Sequence, residues 1–380
     1  MKKALTVVSI LAILSILAVA CAPAATPTAA PAAPAATSAP QIIKETVVVQ
    51  QTVEVAQPTK AGSSVATIGY DAPSLTGGQG AIMAGMVDGA KAQGWQVVTS
   101  NANEDAPTQA NQINSFISQG VKAIVAVPVD SKAICASIAA ATAAGIPFFT
   151  IDRAPEGCAV SMTVQSDNYL AGQQSGQALV KLLQGRYNGK AKGTVLELQG
   201  DLSQNVAQLR GAGFDDVMKQ YPDVKVIQKP TNWDASKFAS DTQDVASSTP
   251  LDAIYMHSDC VGYQPVTATL QQLNKLVPNT DPKHIFLVGV DGCHDTLNGI
   301  RAGYADESSS QPLPDDGVVI ATYIAQVLAG QTISEGTVTK DGALWSPATI
   351  KKTDTGFVAN LSTTAVTKDN VGNAGLWGNE

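Results

Sequence analysis

The sequence predicts a two-lobed α/β protein in which each lobe is a parallel sheet flanked by helices, and three observations carry that prediction. From residue 64 onward, short apolar runs alternate with longer stretches of helical spacing. About 320 residues follow the N-terminal low-complexity segment, more than one hydrophobic core usually supports. Acidic and hydroxyl side chains recur at the ends of the apolar runs, the place where open parallel sheets gather ligands.

The first segment, MKKALTVVSILAILSILAVAC, sets two lysines before an unbroken apolar or small run that stops at a cysteine, as a secretory signal does. It resembles a bacterial lipoprotein signal, in which residues 1–20 are removed and Cys21 is lipidated as the new N-terminus. Ala18 stands where such signals usually carry leucine. An ordinary signal peptide and an uncleaved anchor are the other readings, and all three place the remainder outside the cytoplasm. Residues 21–61 read as tether and stalk. APAATPTAAPAAPAATSAP is built almost wholly of Ala, Pro and Thr and suits a semi-stiff spacer off a membrane. IIKETVVVQQTVEV, which follows, is given no function. Loss of Lys2 and Lys3 moves the formal charge from −8 to −10 over 360 residues. A pI near 4.9 without a basic cluster argues against nucleic acid as a partner.

Four runs come first: VATIGY (65–70), WQVVTS (95–100), AIVAVP (123–128) and PFFTID (147–152). Four more follow: GTVLELQG (193–200), VKVIQKP (224–230), AIYMHS (253–258) and IFLVGVD (285–291). Each is short, apolar or β-branched and bounded by Gly, Pro or polar residues, which marks a strand. Helical stretches such as SKAICASIAAATAAG lie between them, so the strands pair in parallel through right-handed crossovers. The runs divide four and four, with the break near TVQSDNYLAG, residues 163–172.

The run ends present Asp71, Asp130, Asp152 with Arg153, Asp201, Ser258 with Asp259, and Asp291. Asp130 and Asp201 read as caps of the next helix, because their oxygens accept from orphan N–H groups. Arg153 is no use as a cap and points to a ligand.

Several motifs fall in order: TIDR ends the fourth run, QSDN marks the crossing, LELQG precedes RGAGF, and VGVDG and VTKDNV follow. In that order they resemble the ribose-type periplasmic binding proteins that deliver sugars to ATP-driven importers, over residues 64–371. The resemblance implies a two-lobed periplasmic-binding-protein fold with a multi-strand hinge. The N-terminal lobe would take 62–166 plus about 312–338, and the C-terminal lobe 167–311 plus part of the tail. Residues from about 339 to 380 would return across the hinge.

It also implies a ligand site. The family's Asp-Arg pair falls on Asp152 and Arg153, the second-lobe arginine on Arg210, the stacking aromatic on Trp233, the hydroxyl-fixing aspartate on Asp291 and the hinge glutamine on Gln311. A sugar offers paired hydroxyls that a carboxylate or guanidinium binds two at a time, and a C–H face that a ring covers. Departures are equally specific. Where the family places Asn, Pro and two aromatics, this chain reads GGQGAIMAG. The N-terminal lobe therefore lacks its usual stacking face unless Tyr70 supplies one, and Asp71 or Gln79 is expected to provide hydrogen bonds instead. Two further asparagine positions fall on Val127 and Ser258, which points away from simple ribose.

Cys135, Cys158, Cys260 and Cys293 lie two to a lobe, in an oxidising compartment. In the implied fold Cys260 and Cys293 follow neighbouring strands, and Cys135 and Cys158 stand in a similar relation. Bridges 135–158 and 260–293 are expected, each worth about 3–4 kcal/mol in the chain-entropy model. A zinc site of His257, Cys260, Cys293 and His294 is the rival, but adjacent Cys293 and His294 rarely both reach one metal. A bridged sulfur cannot serve as a nucleophilic thiolate. No metal and no cofactor are expected.

The expected function is an extracytoplasmic, lipid-anchored, monomeric binding protein that closes on a monosaccharide and delivers it to the membrane subunits of an ABC importer. The alternatives are a binder of a nucleoside or other small signalling molecule, or a sugar sensor for a chemotaxis or signalling receptor. No acid/base pair or activated nucleophile has convincing spacing, so an enzyme is not expected. A transcription regulator of this fold would need a DNA-binding headpiece where the signal and stalk stand.

Overall fold

A computed structural model describes residues 65–380. The leader, Cys21 and all of the tether and stalk lie outside the described residues.

The chain begins with β1 (Thr67–Ala72), α1 (Gly77–Ala92), β2 (Gln96–Asn101), α2 (Ala106–Gln119), β3 (Ala123–Ala126), α3 (Ile134–Ala143), β4 (Phe148–Ile151) and β5 (Met162–Ser166). It crosses into α4 (Asn168–Arg186), β6 (Gly193–Gln199), α5 (Asn205–Met218), β7 (Val224–Pro230), α6 (Ala235–Ser248), β8 (Ala253–Met256), α7 (Asp259–Gln272), β9 (Phe286–Asp291), α8 (His294–Ala302) and β10 (Glu307–Ser310). It then returns through α9 (Leu313–Leu328), β11 (Gly336–Val338), β12 (Ala348–Thr353) and β13 (Gly356–Leu361), and crosses once more to β14 (Thr364–Val366).

These strands form two sheets, ordered β11-β12-β13-β5-β4-β3-β1-β2 and β14-β10-β9-β8-β6-β7. Pairing is parallel from β2 through to β13 and from β7 through to β10, with antiparallel strands only beyond. Each lobe buries apolar side chains on both sheet faces, as parallel sheets require. Ile68, Tyr70, Phe149 and Met162 pack with Ile82, Ile320 and Ile324, while Ile124 and Phe148 face Ile113, Phe116 and Ile138. In the second lobe Leu196 and Leu287 meet Phe238 and Val266, while Tyr255 and Val288 meet Leu179 and Phe214.

All eight apolar runs form strands. The hydropathy pattern did not disclose β10, whose sequence is ESSS and whose residues are all buried. Its polarity is satisfied internally: Ser309 Oγ donates to Glu307 Oε1 at 2.8 Å, and Ser308 Oγ donates to Asp259. Burial pushes the Glu307 carboxyl up to about 8, and Ser309 offsets only part of that. A carboxyl raised in the folded state stabilises fully below its unfolded pKa, near 4.3, and that contribution is lost as pH rises through 8. Glu307→Gln, which keeps the shape without the charge, is expected to exceed the wild type in urea stability at pH 8 by several kcal/mol and to match it near pH 4. A constant gap between the two proteins across that range would refute this account.

Both predicted bridges are present, Cys135–Cys158 with Cα atoms 5.7 Å apart and Cys260–Cys293 with Cα atoms 5.2 Å apart. The second links the first turn of α7 to the N-cap of α8, just beyond β8 and β9, which are paired neighbours.

Candidate functional site

Parallel strands send their carboxyl ends to one edge of each sheet, and the two edges face each other across a cleft of about 450 Å³. From the first lobe it is lined by Ser74, Thr76, Gln79, Ile82, Glu104, Asp152, Arg153 and Leu313, and from the second by Val206, Arg210, Trp233, Ser258 and Asp291, with Gln311 at the crossing. The backbone is strained where it aims side chains into this space. Asp152, Trp233 and Asp291 all have positive φ, at 65°, 58° and 118°, which non-glycine residues seldom adopt.

Arg210 is the centre of the polar network. It is 4 % exposed, and its Nη1 stands 3.0 Å from Asp291 Oδ1. Its Nε donates to Asn168 Oδ1 at 2.8 Å, its Nη2 to Gln311 Oε1 at 2.9 Å, and its Nη1 also to the His257 carbonyl. Asn168 opens α4 just after the first crossing and Gln311 sits in the second, so one guanidinium ties both hinge segments to a cleft carboxylate. Burial raises the Asp291 carboxyl, and Arg210 and Ser258, whose Oγ donates at 2.5 Å, oppose that. Trp377, near the C-terminus, donates its indole N–H to the Asp291 carbonyl at 2.9 Å and braces the strained turn from behind.

Across the cleft, Asp152 accepts from Gln79 Nε2 at 2.8 Å and lies 3.5 Å from Arg153 Nε. Arg153 donates its Nη1 to the Pro128 carbonyl, and its Nε makes no hydrogen bond among the described residues. Each arginine is therefore balanced by an aspartate, while Glu104 forms no salt bridge with any described residue.

Eight of the nine proposed ligand residues thus line one cleft, and Asp71 does not. β1 runs on to Ala72, which leaves Asp71 inside the sheet opposite Ser100 of β2 and Ala126 of β3. There it is fully buried and accepts from Ser100 Oγ and, at 2.8 Å, from Gln109 Nε2. Tyr70 is likewise buried in the core and supplies no stacking face. Ile82 and Leu313 provide the apolar surface of the first lobe instead. Asp130 and Asp201 accept from backbone N–H groups two or three residues ahead, as caps. The zinc reading fails on its sulfurs, since Cys260 and Cys293 are bridged, and His257 instead pairs with Glu197 at 2.8 Å.

Residues 76–332 match the family model described as a periplasmic binding protein domain. The chain belongs to the periplasmic binding protein family. Among its relatives, a xylitol-binding protein of Mycolicibacterium smegmatis is 32 % identical over 290 residues, 76 % of this chain and 73 % of the relative. A D-apiose import binding protein of Paraburkholderia graminis is 31 % identical over 59 % of this chain and 68 % of its own length. A solved solute-binding protein of an ABC transporter from Mycobacterium smegmatis, with bound glycerol, has a TM-score of 0.68 at 25 % identity, covering 81 % of this chain and 96 % of that one. A second, from Bacillus halodurans with bound myo-inositol, shares the fold with a TM-score of 0.69 at 20 % identity, covering 83 % and 99 %.

Within this family framework, Glu104 is the charged cleft residue that sequence reasoning missed, along with the uncharged Ser74, Thr76, Ile82, Val206 and Leu313, and an internal repeat carries the signal for it. ANEDA (102–106) and TNWDA (231–235) each follow the second strand of a lobe and precede its next helix. Asn103, Glu104, Asn232 and Trp233 all have φ between 52° and 58°, and Asp105 and Asp234 both cap the helix that follows. Glu104 thus occupies in the first lobe the place that Trp233 occupies in the second.

Proposed function

We propose that this binding protein closes on a small, neutral, polyhydroxylated ligand, a monosaccharide or sugar alcohol, and presents it to an ABC importer. The ligand would be held by Gln79, Asp152, Arg153, Arg210, Ser258, Asp291 and Gln311 and covered by Trp233. The protein would act as a monomer anchored through a lipidated Cys21. The observation that carries the reading is the pairing of two carboxylate–guanidinium couples, one from each lobe, around a single indole. Such couples bind adjacent hydroxyls, and closure is driven by contacts that exist only when both lobes reach the ligand. The relatives' sugar and polyol ligands support the same class. With one ring in the cleft, the C–H face of a sugar has a partner while a nucleobase has no second ring to sandwich it.

The test is thermal unfolding of residues 62–380 against xylitol, ribose, apiose, other pentoses and hexoses, and nucleosides. A ligand at about 100 times its Kd adds about 2.7 kcal/mol and raises the midpoint. A shift with nucleosides alone would replace the proposal by the signalling-molecule alternative. Because Glu104 is the lining charge left without a counter-ion among the described residues, anionic analogues should be rejected. Glu104→Gln is expected to narrow the preference for xylitol over xylonate by about tenfold in calorimetric Kd, a surface-screened Coulomb effect. An unchanged ratio would remove Glu104 from the site.

A further inference from the structure

The two lobes touch directly at the N-terminus of α5, beside Trp233 of the cleft. Gln204, the N-cap of that helix, is 1 % exposed although its side chain makes no bond to the helix. Its Oε1 accepts the indole N–H of Trp233 at 2.6 Å, and its Nε2 donates across the cleft to the carbonyl of Val129 at 2.9 Å. Beside it, Asn205 Oδ1 accepts from the backbone N–H of Ala154 at 3.0 Å, again from the other lobe.

The receiving surface is fixed from beneath. Gln109 Oε1 accepts from the Val129 N–H at 2.9 Å, and Gln109 Nε2 donates to the Val127 carbonyl and to Asp71. Asp71 is thereby given a place: it anchors the glutamine that holds the loop on which Gln204 lands. An amide side chain suits this bridge because it is donor and acceptor at once. Opening the lobes breaks the Val129 and Ala154 bonds together and leaves the indole held by a side chain that has lost its other end.

We propose that Gln204 is a positioning residue that latches the lobes and couples their closure to the orientation of Trp233. The proposal rests on the reading of the cleft as a ligand site that closes. It predicts that the closed state is less populated once the bridge is cut, and that the indole loses its fixed orientation when the acceptor is removed.

The backbone N–H of Ala154 is a direct probe, since its bond to Asn205 exists only between closed lobes. Amide hydrogen exchange followed by NMR, on the wild type and on Gln204→Met, each with and without saturating xylitol, reads the latch. Gln204→Met is expected to speed Ala154 exchange by about tenfold, the scale of one hydrogen bond, and to release the Trp233 indole N–H. Leu196 in β6 should remain unchanged. Gln204→Glu separates the two functions, because it keeps an acceptor for the indole and loses the donor to Val129. It should speed Ala154 exchange while leaving the indole N–H protected. Equal Ala154 rates in wild type and Gln204→Met under both conditions overturn the latch. Equal rates that xylitol lowers alike in both proteins overturn the latch and leave the ligand reading intact. Acceleration by Gln204→Met with no response to xylitol keeps the latch and counts against xylitol as ligand.

Discussion

Arg210→Ala is expected to abolish ligand binding and to destabilise the unliganded protein by about 3–5 kcal/mol, the scale for breaking a buried ion pair by removing one partner. The substitution strips partners from Asp291, Asn168, Gln311 and the His257 carbonyl at once. Asp291 is then a buried carboxylate with only Ser258 as side-chain donor, and burial, which already raises it, acts unopposed by the guanidinium. The sign of the pH response follows. A carboxyl whose folded pKa is raised contributes stability below its unfolded pKa and loses it as pH rises, so the deficit of the variant should be smaller at pH 5 than at pH 8. Adding Asp291→Asn should restore part of the stability, because the orphaned charge is gone, without restoring binding. Non-additivity in that double-mutant cycle, measured by urea melts, separates the two effects. Binding of xylitol or another panel ligand with unchanged Kd in Arg210→Ala would remove this residue from the site.

The strands were legible because runs such as AIVAVP and IFLVGVD are continuously apolar, as strands buried on both faces must be. The bridge partners were legible from the implied adjacency of the strands they follow. β10 was not, since a buried strand of Glu and Ser is stable only through specific partners that hydropathy cannot see. The position of Asp71 away from the cleft has a similar origin. Asp71, Asp152 and Asp291 look alike as acids that end an apolar run, but the backbone of the latter two swings into positive φ while Asp71 stays in extended register beside Ser100. One residue of strand length decides whether such a side chain faces cleft or sheet. Glu104 and Gln204 gave no chemical signal of their own; the repeat around Glu104 and the partner of Gln204 in the other lobe acquire meaning only once the lobes face each other.

Gly213→Ala is expected to cost about 2–4 kcal/mol of stability and to weaken ligand binding, although it adds a single methyl group. α4 and α5 cross backbone to backbone. A Cβ on Gly213 would collide with the Tyr169 carbonyl of α4, and a Cβ on Gly172 would collide with the Arg210 carbonyl of α5. Backbone cannot yield as a flexible side chain does, so the helices must separate and give up packing around Phe214 and Leu179. The same helix carries Gln204 at its start and Arg210 one turn before Gly213, so the shift is transmitted to the cleft. Glycine elsewhere in α4 provides the contrast: Gly185 is exposed with nothing within 4 Å of an added Cβ, and Gly185→Ala should stabilise by about 0.5–1 kcal/mol through helix propensity alone. Thermal melts of the two variants should therefore move in opposite directions. If Gly213→Ala melts like Gly185→Ala, the helices have room to spare, and the glycine of the RGAGF motif must be explained by something other than close approach.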